Sequence, residues 1–188
     1  MLSRKFGLSR PTILVWMLLS ISIGCAKGDQ MPVLSDEQVV ERLASRTPQE
    51  ADAAVGEIMR DGARLTGLLL KHRGNRQPFA GTSLFNPRAS ILLPIPTEGF
   101  EIPESQKYRV ITAEVAALYL ISAIQRGQLH FSQAPLLLDP AEPQGSRVIA
   151  NTPERVARAF DAAERWFRTD ATARQSGDPI ATSGFRWY

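Results

Sequence analysis

Three observations predict a mainly α, single-domain fold. Apolar residues recur at helical spacing in several separate runs. Most of these runs open on a recognisable N-terminal cap, at Ser35, Thr47, Thr112 and Thr152. One run, Val115 to Ile121, is apolar nearly all round, and a helix without a polar face must be covered on several sides.

The first 24 residues read as an export signal. Arg4, Lys5 and Arg10 make a positive start, and an apolar run follows from Ile13 to Ile23. A membrane-spanning helix needs about 20 apolar residues. This run has 11, the length of a signal's hydrophobic stretch. Gly24 and Cys25 close it, and Cys25 is the only cysteine. Ile21-Ser22-Ile23-Gly24-Cys25 resembles the bacterial lipobox, in which a small residue precedes the cysteine that takes the lipid. The resemblance implies cleavage before Cys25 and a lipid-anchored domain in the bacterial cell envelope, on its periplasmic side. Ser22 stands where that motif carries Leu, Val or Ile, and Ser22 with Gly24 also satisfies ordinary small-x-small cleavage. An uncleaved anchor is the third alternative. Ala26, in place of Asp, favours the outer membrane within the same resemblance.

Cleavage alters the charge balance. The whole chain holds 22 Lys+Arg against 19 Asp+Glu, and the three charges before Cys25 are all basic. Their removal leaves 19 of each sign. A balanced domain gives no electrostatic case for nucleic acid. With no second cysteine it forms no internal disulfide, so its stability must come from packing.

Residues 25–34 read as a tether, and residues 35–188 as one domain with a real core. Ser35 and Gln38 form a capping box ahead of Val39, Val40, Leu43 and Ala44. Thr47-Pro48-Gln49-Glu50 predicts a second box, with Pro at the first helical position and Glu50 reaching back to the cap. Ala51, Ala54, Val55, Ile58 and Met59 then form one face. Asp61-Gly62 interrupts, and Leu65, Leu68 and Leu69 carry a short third helix that stops near Gly74. Helices joined so tightly fold back on one another.

From 73 to 110 the pattern breaks. Pro78, Pro87, Pro94, Pro96 and Pro103 forbid a long helix, and this segment is predicted to be extended. Thr112 to Arg126 is the central helix, ended by Gly127. Pro135 to Pro143 is extended around Leu136-Leu137-Leu138, and a short hairpin is compatible with it. Thr152-Pro153-Glu154 opens the last clear helix, with a stripe of Val156, Ala159, Phe160, Ala163, Trp166 and Phe167. Its other face carries Glu154–Arg158, Asp161–Arg165 and Glu164–Arg168 at i,i+4 spacing, each pair worth about 0.2–0.5 kcal/mol. The aromatic stretch Phe185-Arg186-Trp187-Tyr188 is expected to dock onto the domain.

No catalytic motif emerges. There is no phosphate-cradling Gly loop, no G-x-S-x-G and no H-E-x-x-H, so no cofactor and no metal site is predicted. His72, in Lys71-His72-Arg73, reads as a solvated helix end, and His130 as a loop residue. Glu98, Glu101 and Glu104 cluster in the Pro-rich segment. With His130 or Asp139 they are the candidates for an alternative envelope hydrolase, because glycoside hydrolysis needs two carboxylates at a set separation. Solvated loop charge is the simpler reading. Arg73, Arg76 and Arg88 flank the same segment and are candidates for lipid headgroups or an acidic polymer, against the plainer reading that they keep a loop soluble.

Glu57-Ile58-Met59-Arg60-Asp61-Gly62, followed by Leu65 and Leu68-Leu69-Leu70, is similar to the helix–turn–helix unit of HEAT-like repeat proteins. Ala117-Leu118-Tyr119-Leu120-Ile121-Ser122-Ala123-Ile124, followed by Gly127 and Pro135-Leu136-Leu137, resembles a helix of uncharacterised exported bacterial proteins. The first resemblance implies an interaction surface and supplies no catalytic residues. The expectation is therefore a non-enzymatic, lipid-anchored envelope protein. It meets the membrane through its N-terminal lipid and binds or scaffolds another envelope protein.

Overall fold

The computed structural model describes residues 34–85, 104–129, 134–141, 150–170, 174 and 177–188. These form a mainly helical domain with five α-helices and a two-stranded sheet. The helices are α1 (Asp36–Glu41), α2 (Pro48–Arg60), α3 (Gly62–Leu69), α4 (Ala113–Arg126) and α5 (Pro153–Arg168). The strands are β1 (Leu137–Leu138) and β2 (Arg186–Trp187).

Helix starts follow local capping chemistry. The Ser35 hydroxyl accepts from the Gln38 amide at 3.3 Å, and the Gln38 side chain accepts from the Ser35 amide at 2.9 Å. α4 starts at Thr112 and α5 at Thr152, each hydroxyl accepting at 3.4 Å from the amide three residues on. The Thr47 box does not form as expected. Ser45 takes its place: its hydroxyl donates to Glu50 at 2.6 Å and accepts from the Thr47 amide at 3.1 Å. Glu50 thus braces the helix start through Ser45 rather than through the Thr47 backbone, and Thr47 makes no side-chain cap bond. A serine two residues upstream satisfies the same amide, which spacing within the box does not reveal.

α4 is the centre of the domain. Its residues from Ala113 to Ala123 are all buried. α2 and α3 pack on it, as do the 3-10 turns that follow α1 and α3 (Arg42–Ala44 and Leu70–His72), and α5 covers a further side. Gly62 allows α3 to approach closely, because a Cβ there would lie 2.6 Å from Ile124 Cγ1. On α5 the stripe Val156, Ala159, Phe160 and Ala163 is buried, with Trp166 partly so. Each large apolar side chain sealed in this way contributes about 1.5–3 kcal/mol.

The sheet is antiparallel, with Leu137 opposite Trp187 and Leu138 opposite Arg186. It is not a hairpin, since α5 lies between its strands in the chain. Tyr188 extends the pairing, its amide donating to the Leu136 carbonyl at 2.8 Å. Trp187 is 1 % exposed, and its indole Nε1 donates to Ser122 Oγ at 2.9 Å. Its ring meets Tyr119 edge-on, with centroids 5.3 Å apart and planes at 77°. The aromatic stretch therefore docks into the core.

The segment between α3 and α4 is not uniformly extended. Pro78 bridges to Thr112, and the Phe79 amide donates to Ile111 at 2.8 Å. Glu104–Arg109 is a 3-10 helix, in a proline-free run that begins just after Pro103. The remainder, 86–103, lies outside the described residues, as do the signal and tether expectations for 1–33.

Trp187→Ala is expected to lower the unfolding free energy by about 3–5 kcal/mol in urea titration. It removes a fully buried indole and strips Ser122 of its partner. Trp187→Phe, which keeps a ring against Tyr119, should lose distinctly less.

Candidate functional site

The richest polar constellation lies where α3 ends. Leu65 and Leu69 hold α3 in the core, and the chain tightens into the 3-10 turn Leu70–His72. Gly74 then redirects it with φ +79°, a left-handed conformation that suits glycine. Residues 72 to 77 reach four helices or turns in succession.

His72 is buried, at 5 % exposed, and its Nε2 lies 2.9 Å from the Val40 carbonyl oxygen on α1. A carbonyl only accepts, so Nε2 carries the proton and Nδ1 is left as an acceptor. Nδ1 is buried and has no hydrogen-bond partner. Burial pushes the His72 pKa below its ordinary value of 6.5, only partly opposed by the bond to Val40 and the charge of Glu41. This corrects the reading of His72 as a solvated helix end. The apolar helix face of Leu65 and Leu69 carries the turn inward, and Val40 supplies the acceptor that makes burial tolerable.

Beside it lies a cavity of about 230 Å³, lined by Glu37, Val40 and Glu41 of α1, by Leu68, and by Lys71, His72 and Asn75. Glu37 and Glu41 stand one helical turn apart and bring two carboxylates to one side. Lys71 brings the opposite charge. The arrangement can take up a proton beside paired acids.

Arg73, next in the chain, turns to α5. Its guanidinium donates to Asp161 Oδ1 at 2.7 Å and Glu164 Oε1 at 3.0 Å, and these bonds, Glu164 first, raise its pKa. Of the three i,i+4 pairs expected on α5, Glu164–Arg168 is present at 3.6 Å. Asp161 is engaged by Arg73, and Arg158 lies over the Phe185 ring at 4.5 Å while donating to the Ser183 carbonyl at 2.8 Å. The Gly74 amide donates to Glu114 Oε2 at 2.9 Å, which satisfies a buried carboxylate on α4. The Gln77 side chain donates to the Ala44 carbonyl, and the Gln77 carbonyl accepts from Ala113 at 2.8 Å.

The other candidates from the sequence fall as follows. Arg73 is committed to α5, and Arg76 is exposed on the same loop. Cys25, Arg88, Glu98, Glu101 and His130 lie outside the described residues. Glu104 opens the 3-10 helix Glu104–Arg109. Asp139 accepts from the Ala141 amide at 2.9 Å and closes a turn. Among the described residues, no group of three His, Cys, Asp or Glu is placed to hold a metal ion. None of their helices is long and apolar enough to cross a membrane.

Two polar residues escaped the sequence reading. Asn151 is buried, donates to the Pro135 carbonyl at 3.0 Å and accepts from the Leu137 amide at 3.0 Å. It clamps β1 in place. Asp52 accepts from the Thr82 and Ser83 amides at 2.8 and 2.9 Å and from the Thr82 hydroxyl at 3.0 Å. Both act across distant parts of the chain, and no local spacing marks them. Comparison with family models, with curated proteins and with solved structures found no match to this chain.

Because the folded state holds His72 neutral while the unfolded chain titrates near 6.5, unfolding takes up a proton in acid. Its contribution is therefore fully present above pH about 6.5 and is lost as pH falls below it, at no more than about 1.4 kcal/mol per pH unit. His72→Gln, whose amide can still donate to Val40, should flatten this part of the profile in urea titrations between pH 7.5 and 5.

Proposed function

We propose that this chain is a lipid-anchored protein of the bacterial cell envelope whose helical domain binds or scaffolds another envelope protein. The observation that carries the reading is Cys25, directly after an apolar run of signal length and a glycine. Ser35, ten residues beyond Cys25, opens the first helix with a capping box. Nine extended residues reach about 30 Å, so an anchored domain sits close to the bilayer. Four of the buried polar residues serve the fold, while His72 keeps a buried Nδ1 without a hydrogen-bond partner. Glu114, Ser122, Asn151 and Ser183 are bonded to backbone groups or to Trp187, and each serves the fold. The binding reading leans on the likeness of Glu57 to Leu70 to a HEAT-like helix pair.

Intact-mass measurement of the native product tests the anchor. The expected product begins at Cys25 and carries acyl groups on it. A mature start at Ala26 or later, or a bare thiol, contradicts the anchor. The binding role is tested separately by extraction in mild detergent: the native protein should migrate as part of a larger heteromeric assembly, and migration as a lone protomer opposes it.

A further inference from the structure

The bond between His72 and Val40 joins residues 32 apart and is the side-chain tie from the Leu70–His72 turn to α1. It requires a neutral imidazole with its proton on Nε2. A proton added to Nδ1 would place a donor where the structure offers no acceptor, since that atom is buried and unpartnered. Acceptors do stand close by. The cavity of about 230 Å³ adjoining the ring is lined by Glu37 and Glu41, and a single water's share of liquid volume is about 30 Å³, so the space admits a ring and several waters.

We propose that His72 is a proton-driven latch: when neutral it holds α1 to the turn through Val40, and when protonated it swings into the adjoining cavity, where Glu37 and Glu41 receive it. The proton comes from solvent and adds to Nδ1. The Nε2–H bond to Val40 breaks, and a charged bond to a carboxylate replaces it.

The charges around the ring agree with this direction. α1 presents Glu37 and Glu41. The turn itself carries Lys71, at the cavity, and Arg73, which is engaged by Asp161 and Glu164 of α5. α4 contributes Glu114, held by the Gly74 amide. The uncommitted acids are thus on the side of α1, and they draw the imidazolium away from its slot. The latch loosens α1 selectively. α4 stays buried beneath α2, α3 and α5. α1 directly follows the tether, so loosening it lengthens the path between anchor and domain. That consequence rests on the anchor reading, whereas the latch itself does not.

The test uses the full chain in detergent micelles, labelled with ¹⁵N-histidine, with His130→Asn to assign the two rings. Between pH 7.5 and 5, Nδ1 of His72 should pass from acceptor to protonated form with a midpoint below 6.5. Exchange protection of the Val39 and Val40 amides should fall about tenfold per unit of pH below that midpoint. Protection at Leu118 and Leu120 should hold. His72→Gln should abolish the pH dependence at α1, and Glu37→Gln with Glu41→Gln should move the His72 midpoint to lower pH. The proposal is overturned if α1 protection stays constant while His72 titrates, or if it falls equally in His72→Gln. It is also overturned if the double glutamine variant leaves the midpoint unmoved, a result that holds even where His72→Gln fails to fold.

Discussion

The domain is organised around the seat of Trp187 on α4. Helix α4 is apolar nearly all round, so every side of it must be covered or the chain exposes a large apolar surface. α2, α3 and α5 cover part of it. Trp187 covers another part, with its ring edge-on to Tyr119 and its indole nitrogen bonded to Ser122. The hydroxyl is what makes this seat specific. Without it the indole N–H would be buried with no acceptor, and without the indole the Ser122 hydroxyl would lose this partner on the central helix. Once Trp187 is seated, the rest of β2 is positioned. Tyr188 can then pair with Leu136, and Asn151 clamps the other side of the same segment. Phe185, brought in with them, lies beneath the guanidinium groups of Arg155 and Arg158.

A second set of interactions ties the helices at the other end of this arrangement. Residues 72 to 77 connect α1 through His72, α5 through Arg73, and α4 through Gly74 and Gln77. Such a connector adds little to stability through its exposed ion pairs, which are screened by solvent. Its value lies in satisfying groups that the packing has already buried. Glu114 is tolerated inside because the Gly74 amide faces it, and Gly74 can face it because a left-handed turn is available there. His72 is the one member of this set with a buried atom left unmet, and it adjoins the cavity.

The fold class and nearly all the helix limits were legible because they depend on neighbouring residues. Ser35 with Gln38, Thr112, Thr152-Pro153 and Gly127 each act within one turn, and the structure uses each of them. The stripe of α5 and the burial of α4 were legible for the same reason. What could not be read depends on pairs far apart in the chain. Asp161 was expected to face Arg165 and instead meets Arg73, because the packing of the turn against α5 brings a second cation within reach. His72 was read from its basic neighbours, whereas its burial is set by Val40 on another helix. The two strands form a sheet rather than a hairpin, since Leu137 and Trp187 are separated by the whole of α5. Asn151 and Asp52 have the same origin, and each holds backbone groups that the local sequence does not identify.

The central claim is that Trp187 closes the domain, so that sheet and central helix open together or not at all. Native-state hydrogen exchange of the full chain in detergent at neutral pH tests it most directly. The amide of Tyr188 and those of Leu118 to Ile121 should report the same opening free energy, equal to that for global unfolding, and should respond to urea with the same slope. Exchange of Tyr188 by a much smaller, urea-insensitive opening, while α4 remained fully protected, would contradict the account.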